Sequence, residues 1–238
     1  MSYEFTIIVP LYNEEENLLR VEQEMKNYLK NAPRSTCVLF VDDGSTDASL
    51  QLIRTVCSRN RGFRYLSFAK NYGLSAALKA GFEFAESPLV GYIDADLQTL
   101  PQDFDLLLKH IDNYDLVTGI RVDRRDSPVK KLSSKAAGKI RRLFTEDGME
   151  DTGCPLKVIR TETARNIPMF NGIHRFLPAM VLLQQGRVMQ IPVRHFPRKA
   201  GTPKFHLYNR IAGPLMACFV FLWMKAHYIN YRIKESNG

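Results

Sequence analysis

Asp94, Asp96 and Gln98 stand at every second position of the stretch DADLQ, directly after an apolar run at residues 89–93. Alternate side chains of an extended chain share one side, so three oxygen-bearing groups could meet there. Oxygen ligands of this hardness suit Mg2+ or Mn2+, which keep positions open for water and substrate phosphates. Two further polar stretches stand in the same relation to an apolar run. PLYNEEE, with Pro10, Tyr12 and Glu14, closes the first run, and DDGSTD at residues 42–47 closes the second. In the latter, Gly44 permits a tight turn, Ser45 or Thr46 can cap the next helix, and Asp47 complements that helix's positive end. Asp42 and Asp43 need another reason, since adjacent carboxylates repel unless a ligand or cation uses one. A carboxylate there could accept a base N–H or the hydroxyls of a ribose.

The sequence between these stretches predicts the frame that gathers them. Runs at residues 5–10, 37–41, 64–68, 89–93 and 116–120 are rich in Val, Ile, Leu, Phe and Tyr. Several are apolar throughout, as strands covered on both faces tend to be. Leu18, Val21, Met25 and Leu29 recur at intervals of 3, 4 and 4, which predicts a helix over residues 17–30. Leu50, Ile53 and Val56 repeat the pattern after Asp47, and Phe104, Leu107, Leu108 and Ile111 do so after Pro101. The alternation predicts an α/β fold with a single, mostly parallel central sheet flanked by helices. Such sheets bind ligands beyond the carboxyl ends of their strands, where all three polar stretches fall.

After residue 120 the rhythm changes. Residues 121–144 are basic and predict a loop running into a helix, 155–159 and 188–196 read as strands, and 207–231 as a helix. The expected division is a main domain over 1–206 and an apolar, basic helical tail over 207–238. Residues 211–224 carry no charge for 14 positions. That is short of the roughly 20 apolar residues a bilayer-spanning helix needs, and Pro214 interrupts it. Composition leaves two readings open, a core helix or an interfacial one with Trp223, Tyr228 and Tyr231 at headgroup level beside Lys225, Arg232 and Lys234.

Charge divides the chain in two. Residues 1–120 hold 11 Lys and Arg against 17 Asp and Glu, whereas residues 121–238 hold 22 against 8. Arg121, Arg124 and Arg125 follow the fifth predicted strand, and residues 187–210 hold six basic residues with no acid. A basic half of this kind suggests an anionic partner. Neither GxGxxG nor GxxxxGK[ST] occurs, so a nucleotide diphosphate here would be neutralised mainly by a metal. Cys37, Cys57, Cys154 and Cys218 show no metal or paired spacing and read as buried thiols. The start of the chain lacks signal-peptide character, which places it in the cytosol.

IIVPLYNEEENL, VDDGSTD, KNYGLSAALKAGF and YIDADLQTLPQD, in this order and spacing, resemble the successive motifs of glycosyltransferase family 2, with its GT-A fold. DTGCPLKVIR and HFPRKAGTPKFHLYNR resemble elements of its polyprenyl-phosphate branch, that of dolichol-phosphate mannose synthase. The likeness covers residues 4–232. It implies that Pro10, Tyr12 and Glu14, with Asp42 or Asp43, hold the nucleoside of a UDP- or GDP-sugar. It implies Asp94 at the ribose or the metal's water shell, and Asp96 and Gln98 on Mg2+ or Mn2+. Arg121, Arg198 and Lys204 would face the acceptor phosphate, helped by Lys131 or Lys135. Two departures stand out: Pro203 replaces the branch's usual Ser before the lysine, and no transmembrane helices follow.

The implied activity is inverting sugar transfer to polyprenyl phosphate by a catalyst held peripherally on the cytosolic membrane face, alone or through a membrane subunit. A second reading is transfer to a sugar hydroxyl in polysaccharide or lipopolysaccharide assembly, with Asp151 as general base. Nucleic-acid binding is set aside, because it leaves the three strand-end clusters unexplained. His174, His195 and His206 lack an adjacent carboxylate to orient them and read as structural or interfacial.

Overall fold

The computed structural model describes residues 2–122, 138, 141–142, 144–197, 212–230 and 234–235. Among them, seven strands form one sheet: β1 (Phe5–Leu11), β2 (Thr36–Asp42), β3 (Phe63–Ser67), β4 (Leu89–Tyr92), β5 (Leu116–Arg121), β6 (Lys157–Arg160) and β7 (Val188–Val193). Their order is β3-β2-β1-β4-β6-β5-β7. Every pairing is parallel except those of β6, which runs antiparallel to both β4 and β5. The chain therefore enters β6 at the edge where the other strands end, bringing residues 151–156 to the same side as the three polar stretches.

Alternation along the strands builds two cores. Phe5, Ile7, Val9 and Leu11 of β1, with Val38 and Phe40 of β2, pack with helices α1 (Glu15–Asn31), α2 (Ser49–Arg59) and α4 (Phe104–Leu108). Ile8, Leu39, Val41, Val90 and Tyr92 pack on the other face with α3 (Leu74–Phe84), α6 (Leu177–Leu183) and α7 (Ala212–His227). The short α5 (Thr161–Arg165) follows β6. Period two in the strands sends successive side chains to opposite cores. Both faces are covered, which accounts for runs that are apolar throughout.

Helix α3 has no counterpart among the helices predicted above. Its buried stripe is Ala77, Leu78, Gly81 and Phe82, so small residues dilute the apolar period. The contact demands them: a Cβ on Gly81 would come within 2.8 Å of the Ile8 side chain. Helix α7 has one apolar side buried and another exposed, so the core reading of the apolar tail holds for the first. Ala217, Cys218 and Phe221 are buried in the second core, with Phe221 stacked on Phe176 at 5.8 Å. Met216, Phe219, Leu222 and Trp223 are exposed. Among the described residues no helix is long and apolar enough to cross a membrane. Cys37, Cys154 and Cys218 are buried free thiols, and Cys57 is half-buried.

Candidate active site

The loops after β1 and β2 are sewn to each other. Asn13, at φ 51°, gives its backbone N–H to Ser45 Oγ at 2.9 Å and accepts the Thr46 N–H on Oδ1 at 2.8 Å. Glu14 N–H donates to Ser49 Oγ at 2.9 Å, and Ala48 N–H to the Glu15 carboxylate at 2.8 Å. Ser45 and Thr46 are thus engaged with Asn13, and the expectation that one of them caps α2 is corrected. The N-cap position is Ala48, and Asp47 just before it accepts the Ser49 N–H at 2.9 Å. These bonds hold its carboxyl below the usual range against the opposing effect of burial.

Asp42 and Asp43 are both buried and turn to different donors. Asp42 accepts Ser45 N–H at 3.0 Å and the Ser67 hydroxyl at 2.8 Å. Asp43 accepts Tyr72 N–H at 2.7 Å and Gly73 N–H at 2.8 Å, at the start of α3. The premise that the pair needs a ligand or cation is therefore corrected: main-chain and hydroxyl donors separate the charges. Burial, with Asp42 adjacent, pushes the Asp43 carboxyl up despite its two N–H partners. Gly44 makes the turn between the loops possible. Its φ is +70°, and a Cβ would lie 2.3 Å from the Lys70 carbonyl carbon.

Beyond β4 the DADLQ loop is fixed from three sides. Asp96 is nearly buried, and its Oδ1 accepts the Gln98 N–H at 3.1 Å. Leu97 has φ 48°, an uncommon conformation for a branched residue and a frequent one at functional loops. Arg20 of α1 donates to the Asp96 and Leu97 carbonyls, each at 3.3 Å. From the far edge, Phe196 N–H reaches the Gln98 carbonyl at 2.8 Å, and Gln98 Nε2 donates to the Phe196 carbonyl at 3.4 Å. The Gln98 amide is thereby oriented with Oε1 left as an acceptor. Residues 194–196 lie past the end of β7, so the strand expected over 188–196 stops at Val193 and Phe196 reaches the DADLQ loop from outside it.

Among the described residues, no three His, Cys, Asp or Glu side chains converge to hold a metal by themselves. Asp96 and Gln98 offer hard oxygens only. They fit a Mg2+ or Mn2+ ion that completes its shell with water and phosphate oxygens.

A cavity of about 140 Å³ opens beside this loop, lined by Leu74, Tyr92, Asp94, Thr152, Gly153, Pro155, His174 and Arg175. Arg121 stands behind it, and a Cβ on Gly153 would come within 3.1 Å of its Nη2. The Arg121 guanidinium grips Asp151 in a bidentate pair, Nε to Oδ2 and Nη2 to Oδ1, both at 2.8 Å. Burial opposes both charges, yet the pair raises the Arg121 value and lowers that of Asp151. Beneath the cavity Lys157 is buried, donating to the Thr152 and Cys154 carbonyls and lying 5.2 Å from the Tyr92 ring centroid. Burial lowers its pKa to about 8.

Of the residues singled out in the sequence, Pro10, Tyr12, Glu14, Asp42, Asp43, Asp94, Asp96, Gln98 and Arg121 all fall on this edge of the sheet. Arg124, Arg125, Lys131, Lys135, Arg198, Lys204 and His206 lie outside the described residues. Arg20, Lys157 and Arg175 escaped the sequence reading. Arg20 interrupts no period, and Lys157 and Arg175 sit in otherwise apolar stretches where a lone cation carries no pattern. His174 shares Ser75 Oγ at 2.9 Å, and burial, with the Arg175 and Lys157 cations, lowers its pKa to about 3.

A mostly parallel sheet with an acidic carboxyl edge and a DxD loop is the GT-A class of fold. The chain belongs to glycosyl transferase family 2, whose model matches residues 6–171. It is 29% identical over 233 residues to dodecaprenyl-phosphate galacturonate synthase of Rhizobium johnstonii, covering 94% of this chain and 69% of that protein. It is 30% identical over 209 residues to undecaprenyl-phosphate 4-deoxy-4-formamido-L-arabinose transferase of Edwardsiella ictaluri, covering 87% and 64%. Among solved structures, glucosyl-3-phosphoglycerate synthase of Mycobacterium tuberculosis superposes with a TM-score of 0.72 at 15% identity, covering 96% of this chain and 81% of that one. The same enzyme has been solved with Mn2+, UDP-glucose and phosphoglyceric acid, at a TM-score of 0.71. At such identity the likeness carries the fold alone.

Proposed function

We propose that this protein transfers a sugar from a nucleotide-diphosphate donor to polyprenyl phosphate at the cytosolic face of a membrane. The observation that carries the reading is one sheet edge on which the fixed DADLQ loop adjoins a cavity flanked by arginines. The two relatives named for polyprenyl-phosphate products support the acceptor class. Pro10, Tyr12, Glu14 and Asp42 or Asp43 contact the nucleoside. Asp96 and Gln98 hold Mg2+ or Mn2+, which supplies charge neutralisation of the diphosphate. Asp94 belongs to that loop and lines the cavity, and contacts the ribose or the metal's water shell. Arg198 and Lys204 attend the acceptor phosphate.

The chemistry needs no proton acceptor. An anionic phosphate oxygen bonds to the anomeric carbon as the bond from that carbon to the diphosphate oxygen breaks, its electron pair leaving with the nucleotide. Attack opposite the leaving group inverts the centre. The chain's part is alignment and stabilisation of the two anions. Transfer to a sugar hydroxyl would instead require a base, and the Arg121 pair makes Asp151 a poor one, since it keeps that carboxylate ionised and weakly basic.

Purified protein given membranes, Mg2+ or Mn2+, and a panel of labelled UDP- and GDP-sugars is expected to move label into the lipid phase, from which mild acid releases it. Label that stays water-soluble with every donor would remove the lipid acceptor. The 207–238 tail is read as a membrane-contacting unit, with α7 presenting Met216, Phe219 and Trp223 to lipid. Lys225 pairs with Glu146 at 2.5 Å, so the attraction to lipid rests on the apolar stripe and other basic residues. Replacing Met216, Phe219 and Trp223 together by serine is expected to cut co-sedimentation with phosphatidylglycerol vesicles about tenfold while leaving the melting temperature nearly unchanged. Unaltered co-sedimentation would move the contact elsewhere, to the rest of the basic half or to a membrane subunit.

A further inference from the structure

Three cations gather around the cavity, and two are already committed. Arg121 is neutralised by Asp151 through two side-chain bonds of 2.8 Å. Lys157 is buried under the floor and gives its hydrogens to the Thr152 and Cys154 carbonyls and the Tyr92 hydroxyl. Arg175 is different. Half-buried, it lines the cavity itself, and among the described residues no carboxylate or other side chain pairs with its guanidinium. A partly desolvated guanidinium with no carboxylate beside it gains from an anion, and its planar fork suits phosphate or carboxylate.

The neighbours are arranged for such an anion. Ser75 Oγ accepts the Gly172 N–H at 3.0 Å and lies 2.9 Å from His174 Nδ1. In the tautomer whose Nδ1 accepts the Ser75 hydroxyl, Nε2–H is the ring's donor, and His174 belongs to the cavity lining. Thr152 contributes to the same lining. Asp94, the one acid in the lining, lies in the field of both Arg121 and Lys157, which offsets its charge.

We infer that Arg175, assisted by His174 and Thr152, binds the oxyanion that attacks the anomeric carbon, the phosphate of the polyprenyl acceptor. The inference rests on the reading of function above and adds a phosphate-positioning residue to it from a part of the chain outside the basic segment at 187–210. A carboxylate on the transferred sugar would offer the same chemistry to the same arginine, so the two sources must be separated by experiment.

Arg175→Ala, Arg175→Gln and Arg175→Lys are to be compared with the parent protein by calorimetric titration with farnesyl phosphate, farnesol, and UDP or GDP in the presence of Mn2+. Loss of one charge-assisted contact is expected to weaken farnesyl phosphate roughly 10- to 100-fold in the alanine and glutamine variants. Farnesol and the nucleotide should bind as before, and lysine should recover part of the loss. In transfer assays the acceptor KM should rise more than the donor KM. Undiminished farnesyl phosphate binding in a variant with a normal melting curve would overturn the inference. So would a loss confined to donors whose sugar carries a carboxylate, which would assign Arg175 to the sugar. If the parent protein neither binds farnesyl phosphate nor labels any polyprenyl phosphate, the reading of function fails with it. Should the alanine variant not fold, the glutamine and lysine variants carry the test.

Discussion

Replacing Asp96 by alanine is expected to lower kcat/KM by about a thousandfold, close to 4 kcal/mol of transition-state stabilisation. The side chain has two parts to play, and the substitution removes both. Its Oδ1 caps the Gln98 N–H at 3.1 Å, which keeps the DADLQ loop in shape. Its charge is the element of the Asp96–Gln98 pair that a divalent cation requires. Asp96→Asn separates them, since an amide oxygen can still take the N–H but brings no charge. If charge dominates, the asparagine variant should be nearly as inactive as the alanine one, and neither should show Mn2+-enhanced binding of UDP or GDP by calorimetry. The fold should survive, because Arg20 and Phe196 hold the loop's carbonyls independently. A variant lacking Asp96 that transfers sugar at the parent rate would remove the metal assignment outright.

That loop also shows how far reading from sequence reaches. DADLQ was legible as a polar pattern after an apolar run. The chain there is not extended as expected but turns, with the Leu97 N–H on the Asp94 carbonyl at 3.1 Å. The sheet order then set it beside PLYNEEE and DDGSTD. The bonds that fix it are not local. Arg20 is 76 residues from Asp96, and Phe196 is 98 residues from Gln98. A donor to a main-chain carbonyl leaves no trace in residue type at the accepting end. Asp42 and Asp43 show the opposite case. Their adjacency is conspicuous in sequence, yet Ser67, Tyr72 and Gly73 supply the donors that the acid pair needs. Helix α3 was hidden by the small residues its close packing requires, whereas β6 was legible as a strand and only its reversed direction in an otherwise parallel sheet was not. Arg175 belongs with Arg20, because only the cavity distinguishes it from any other basic residue near a turn.

Breaking the Arg121–Asp151 pair is expected to have the largest effect on stability. Both side chains are mostly buried, at 15% and 12% exposure, so losing one leaves the other as an unpaired buried charge. Such a loss costs about 3–5 kcal/mol. Arg121→Ala and Asp151→Ala should each approach that figure in urea melts. The double variant should fall well short of their sum, since it strands neither charge. Additive losses would mean that the two residues stabilise the fold separately. The pair also dictates a pH response. Asp151 has its carboxyl lowered in the folded state, so its contribution is complete above the unfolded value of about 3.9 and is lost as pH falls through the folded one. Asp151→Asn removes that proton linkage, and its stability should fall less steeply on acidification than the parent's. The same variant reaches the chemistry. A base at Asp151 would make asparagine there inactive at every pH, whereas an Asp151 that only anchors Arg121 beside the cavity leaves measurable transfer wherever the variant remains folded.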